Sequence, residues 1–275
     1  MGFTEWAQRE RNRLAAASRV VETAKGPMEL AELGAGMPFL VLHGRPGGYD
    51  QGILIAKAIG EGLGWWLAVS RPGYLRTPLA TGGTPAEQAD AYAALLDALG
   101  TSKAVVFALS GGGPSALEFA RRHLERCRGL VLVSTVTRRK LPSERPGGQR
   151  LLDWICESDR LAYALYRVFG PITGREALGT LLVLPASLRR EGRLNDMEQF
   201  AKLGERPPEG IDTPTLIVHG QADRIVDIRH AEAASAIIPA AKLFEVRGAG
   251  HSVLFTHLRK VREAVTDFLR PLRDQ

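Results

Sequence analysis

The chain of 275 residues contains only two cysteines, Cys127 and Cys156, and they are not spaced as a ligand pair. So few thiols exclude a disulfide-built fold and a cysteine-type zinc site; two free thiols in a reducing compartment are expected instead. No apolar run is long enough to cross a bilayer. The opening stretch Met1 to Arg13 is charged and lacks the apolar centre of a secretion signal, so the expected location is cytoplasmic. The positive charge lacks concentration: the formal net charge of +6 comes from arginines scattered along the chain, without a basic block. A nucleic-acid partner and a membrane partner are therefore not expected. Repeats and low-complexity tracts are absent as well. The remaining composition, 45% hydrophobic and 24% charged, is that of an ordinary globular protein long enough for one large domain with an insertion.

The order of patterns is informative. Residues 5 to 17 read as a polar helical arm that Trp6 and Leu14 could pin to the body. Two short runs around Gly26-Pro27 suggest an antiparallel hairpin at a sheet edge, between Ser18 and Leu33. Apolar strands follow at 38–42, 65–69, 104–109, 130–133, 215–218 and 242–246, separated by helical patterns. Thr84-Pro85-Ala86-Glu87 is a strong helix start, with Thr84 as N-cap and Glu87 as the reciprocal carboxylate. Strands alternating with helices predict an α/β fold with a mainly parallel sheet covered on both faces. The rhythm breaks over 137–211, where only helical patterns occur (151–156, 161–169, 177–183 and 197–203). The expected organisation is a core of 1–136 and 212–275 with a helical cap insertion of 137–211.

Chemistry-bearing residues gather where strands end. The strand 104–109 runs into Ser110-Gly111-Gly112-Gly113, a small-x-Ser-x-Gly turn with Ala108 at its first small position; a nucleophile on a sharp strand-to-helix bend needs such neighbours. The strand ending at Val218 leads to Asp223, and the strand ending at Val246 leads to His251. A serine hydroxyl needs a histidine to take its proton, and the histidine needs a carboxylate to hold its tautomer. Asp227 competes with Asp223 and His257 with His251; Asp227 reads as a helix-start carboxylate and His257 as part of a helical pattern. His43 and His219 read as buried residues at strand ends, and His123 and His230 as ordinary helix residues.

His43-Gly44-x-Pro46-Gly47, Ala108-Leu109-Ser110-Gly111-Gly112, His219-Gly220-x-x-Asp223-x-x-Val226 and Gly250-His251 together resemble the α/β-hydrolase superfamily, over residues 18 to 271 apart from the insertion. The resemblance implies the α/β-hydrolase fold, with Ser110 as nucleophile, His251 as general base and then acid, and Asp223 as its orienting carboxylate. It also implies an oxyanion hole from the backbone N–H groups of Arg45 and Gly111, with no cofactor and no metal. Ser110 argues against the branches that use an aspartate nucleophile. The loop His43-Gly44-Arg45-Pro46-Gly47-Gly48 is similar to that of proline iminopeptidases, but Arg45 replaces a glycine and Gly111 stands where tryptophan is usual. Glu157 and Asp159 are the nearest candidates to hold a free amino terminus.

The expected reaction is hydrolysis of a small carboxylic ester or lactone through an acyl-enzyme, on a small-molecule substrate. The expected pocket is His43 with Trp154, Tyr163, Tyr166 and Phe169, aromatics that could equally pack the insertion onto the body. The Arg45 side chain could meet an acidic substrate or point into solvent. The alternatives are an aminopeptidase, a cofactor-free perhydrolase, a carbon–carbon bond hydrolase, or a receptor that keeps the fold without the activity.

Overall fold

The computed structural model describes residues 2–141, 158–161, 163, 164, 167, 168 and 185–273. Its centre is an eight-stranded sheet formed by β1 (Arg19–Val21), β2 (Met28–Leu33), β3 (Pro38–Leu42), β4 (Trp65–Val69), β5 (Ala104–Leu109), β6 (Cys127–Val133), β7 (Thr215–Gly220) and β8 (Ala241–Val246). The spatial order is β1-β2-β4-β3-β5-β6-β7-β8. The β1–β2 and β2–β4 pairs are antiparallel and all others parallel, so the expected hairpin does occupy a sheet edge. The central strands are apolar throughout because both faces are covered, and alternate residues feed two separate cores. Leu40, Val106, Leu130 and Ile217 pack with α3 (Pro85–Ala98), α4 (Gly113–Arg122) and α6 (Arg229–Ile237). Phe39, Val105, Phe107 and Val131 pack on the other face with α2 (Tyr49–Ile59) and α8 (Leu258–Leu269).

β6 begins three residues earlier than its apolar run suggests. Gly129 conceals the strand in the sequence, yet it lets Leu272 lie where a Cβ would be, 2.6 Å from that side chain's Cδ1. The arm forms as α1 (Phe3–Ala16), with Trp6 and Leu14 buried; the Leu14 carbonyl accepts the Tyr49 hydroxyl at 2.6 Å. Within 185–204, part of the expected 137–211 insertion, α5 (Arg190–Lys202) is held in place by backbone bonds. Leu75 N–H donates to the Leu188 carbonyl at 2.8 Å, Gly192 N–H to Gly73 at 2.7 Å and Arg139 N–H to Gly204 at 2.8 Å. Among the described residues, no helix is long and apolar enough to cross a membrane, and no cluster of three or more His, Cys, Asp or Glu could hold a metal. The Cys127 thiol is buried, which pushes its pKa up to about 12; Cys156 lies outside the described residues.

The Thr84 start is built as a capping box: Glu87 N–H donates to Thr84 Oγ1 at 3.2 Å, and Thr84 N–H donates to Glu87 Oε2 at 2.9 Å. Thr84→Ala removes the hydroxyl acceptor and leaves a donor of the first turn unpaired. It is expected to lower unfolding free energy by about 1 kcal/mol in urea titration.

Candidate active site

Ser110 lies between β5 and α4, in a short 3-10 turn, with φ of +49°. An L-residue adopts that region at a cost of about 1–3 kcal/mol, and it persists only where the surroundings dictate it. Here its carbonyl accepts Val136 N–H at 3.0 Å, tying the bend to the chain that leaves β6. Gly112 lets the bend press against the end of β3, for a Cβ there would sit 2.6 Å from the Leu42 carbonyl oxygen. The turn therefore holds Ser110 at the carboxyl end of the parallel sheet with 9% of its surface exposed.

Asp223 and His251 reach the same point from the loops after β7 and β8. Asp223 Oδ1 accepts the N–H groups of Ile225 at 2.8 Å and Val226 at 2.9 Å, which fixes the carboxylate on its own loop. Asp223 Oδ2 lies 2.8 Å from His251 Nδ1, and His251 Nε2 lies 3.0 Å from Ser110 Oγ. A carboxylate can only accept, so Nδ1 carries the proton and Nε2 presents its lone pair to the serine. Burial works against the charge on Asp223, but hydrogen bonds from His219, His251 and the Val226 amide outweigh it and hold the carboxyl well below the usual range. Ionised Asp223 thus stabilises the fold above its unfolded pKa of about 4, and that contribution is lost only as pH falls through the lower folded value.

His219 does more than close β7. Its Nε2–H donates to the Val226 carbonyl at 2.8 Å and stands 3.4 Å from Asp223 Oδ2, so it braces the carboxylate loop. Asp227 is not drawn in; it accepts Arg229 N–H at 3.0 Å, just before α6. His257 sits between α7 (Val253–Thr256) and α8, with Nδ1 3.0 Å from Thr256 Oγ1. His123 closes α4 and contacts Asp90 at 2.9 Å. His230 is buried in α6, where its Nδ1 accepts Thr137 N–H at 3.2 Å.

The loop after β3 is held from behind. His43 has no exposed surface; its Nδ1–H donates to the Gly44 carbonyl at 2.8 Å, and its Nε2 accepts Arg71 N–H at 2.9 Å. Burial and the Arg71 charge push its pKa well below the ordinary value, so it is neutral. His43 therefore does not line a pocket, as the sequence suggested it could; it shapes the loop that carries Arg45. The Arg45 side chain is half-buried, and its charge acts on the Tyr74 phenol. Tyr163 takes the packing alternative: its ring lies on Trp6 and Phe3 of α1, at centroid distances of 5.0 and 5.7 Å. Trp154, Tyr166, Phe169 and Glu157 lie outside the described residues, and Asp159 accepts Ser187 N–H at 3.1 Å.

Sequence reasoning missed what binds this loop to α5. The Arg71 guanidinium meets Asp196 with both carboxylate oxygens, at 2.9 and 2.5 Å, and its Nε donates to the His43 carbonyl at 3.0 Å. The Tyr74 hydroxyl donates to Asp196 at 2.6 Å. A second buried guanidinium, Arg189, bonds Asp50 at 3.0 and 2.7 Å and the Gly47 carbonyl at 2.6 Å. The one sequence signal was an arginine in the Ser70-Arg71-Pro72-Gly73-Tyr74 loop at a strand's carboxyl end. Asp196→Asn would leave the Arg71 charge buried and unbalanced. A loss of about 3–5 kcal/mol in unfolding free energy is expected by urea titration.

Residues 39–264 match the alpha/beta hydrolase family. An alpha/beta hydrolase fold protein of Nakamurella multipartita is 32% identical, with a TM-score of 0.79 over 92% of this chain and 99% of that one. A thermophilic esterase of Thermogutta terrifontis is 25% identical, with a TM-score of 0.70 over 93% of this chain and 99% of that one. The 2-hydroxymuconate semialdehyde hydrolase of Pseudomonas putida is 27% identical over 191 residues, covering 64% of this chain and 65% of that protein. With its eight-stranded, mostly parallel sheet and the matched stretch running from β3 into α8, the chain belongs to the alpha/beta hydrolase family.

Proposed function

We propose that the chain is a serine hydrolase of small carboxylic esters or lactones. The observation that carries this reading is the continuous relay from Ser110 Oγ through His251 to Asp223, with separations of 3.0 and 2.8 Å. His251 Nε2 takes the hydroxyl proton as Ser110 Oγ bonds to the ester carbonyl carbon. The oxyanion so formed is received by the backbone N–H groups of Arg45 and Gly111. The imidazolium returns its proton to the departing alkoxide, leaving an acyl-serine and a free alcohol. Water then gives a proton to His251 and attacks the acyl carbon; the carboxylic acid departs as Ser110 regains its hydrogen. Asp223 stays ionised throughout, holding the imidazole and balancing its transient charge. The similarity to the Thermogutta esterase supports the ester class.

A second reading, carbon–carbon bond hydrolysis, is favoured by the Pseudomonas putida relative. It would use the same three side chains on a different bond. An aminopeptidase is less supported, because Asp159 is engaged within its own segment.

A fluorophosphonate probe is expected to label the native protein and not Ser110→Ala; absent or equal labelling overturns the serine-nucleophile reading. Short p-nitrophenyl esters are expected to turn over, whereas prolyl arylamides are not; turnover of a vinylogous dienol diketone with no ester turnover would select the carbon–carbon reading. Asp223→Asn is expected to lower kcat by about 10³–10⁴ while the fold persists, since the amide no longer dictates which imidazole nitrogen carries the proton.

A further inference from the structure

We infer that Phe200 of α5 sets which acyl groups the Ser110 site accepts, favouring unbranched acyl chains over those branched next to the carbonyl. This rests on the ester-hydrolase reading above. Gly111 directly follows Ser110, and its N–H is one of the two proposed oxyanion donors. A Cβ at Gly111 would lie 3.2 Å from both the nitrogen and the Cβ of Arg45, and 3.3 Å from Cζ of Phe200. The tip of the Phe200 ring and the Arg45 backbone therefore close over Gly111 together. A substrate carbonyl oxygen between the two amides puts its carbon at Ser110 Oγ. The next acyl carbon is one bond beyond, so it passes beside Gly111 and under the ring. Phe200 is half-buried, leaving part of its ring to face a bound group.

The ring is a wall and not a flap. Phe200 is one helical turn beyond Asp196, so both project from the same side of α5. Asp196 is locked by Arg71 and Tyr74, at 2.5 and 2.6 Å. The Gly192 bond to Gly73, at 2.7 Å, and the Arg139 bond to Gly204, at 2.8 Å, fix the chain on either side of Phe200. An apolar wall that cannot retreat discriminates by size, and one misplaced methyl or methylene group changes kcat/KM by about 10–200-fold.

The test compares p-nitrophenyl acetate, isobutyrate and pivalate on the native chain, Phe200→Ala and Phe200→Leu, with fluorophosphonate labelling of Ser110 in each. The expected result is a rise of about tenfold or more in the isobutyrate-to-acetate ratio of kcat/KM for Phe200→Ala, with Phe200→Leu between it and the native chain. The leucine variant keeps an apolar side chain in place and serves if the alanine variant does not fold. A ratio within about twofold of native in the folded variants, or one shifted toward acetate, while Ser110 still labels, overturns the role of Phe200. Absence of labelling and ester turnover in the native chain itself would instead overturn the ester reading.

Discussion

The buried pair of Arg71 and Asp196 is the constraint from which the geometry near Ser110 follows. Their side chains are 1% and 3% exposed, so both charges have left water almost completely. Removing an ion from water costs several kcal/mol, and an arginine cannot escape that cost by losing its proton. Bidentate contact, the Tyr74 hydroxyl and the His43 carbonyl offset it only when α5 sits in one register. Sliding α5 by a residue would strand the guanidinium on one side and the carboxylate on the other. The pair thus acts less as a net source of stability than as a selector of one docked arrangement. Because Arg71 also grips both ends of His43, the same selection shapes the loop that carries Arg45.

Two neighbouring parallel strands, β5 and β6, both finish in left-handed residues that are not glycine, Ser110 with φ +49° and Ser134 with φ +48°. Each is tied to what lies beside it: the Ser110 carbonyl accepts Val136 N–H at 3.0 Å, and Ser134 N–H donates to the Val218 carbonyl at 2.9 Å. The strain at Ser110 is thereby shared with the chain leaving the next strand. A bend of this kind could not stand in an isolated hairpin. It needs a sheet whose strands are already paired on either side.

What was legible in the sequence was local. The apolar strands, the Thr84 cap and the glycine bend at Ser110 each need only a few consecutive residues to announce themselves, and the loops after β7 and β8 carried Asp223 and His251 in plain view. The pairs Arg71–Asp196 and Arg189–Asp50 join residues 125 and 139 positions apart, and no short pattern marks such partners. Aromatic content alone does not reveal the direction of a side chain. Tyr163 faces α1, whereas Phe200, in a stretch legible only as helical, points at the bend. His43 looked chemically able and turned out to be occupied on both nitrogens by backbone, which only the fold around it could show.

Ser110 and His251 stand 141 residues apart in the chain, yet 3.0 Å apart in space. During synthesis the serine and its bend emerge long before the strand that delivers the histidine has left the ribosome. An unfinished chain consequently holds an ordinary alcohol with no base beside it. Only after β7 and β8 add to the sheet does the hydroxyl gain a proton acceptor. Order of manufacture therefore separates the serine from its histidine neighbour, and their contact forms only with completion of the fold.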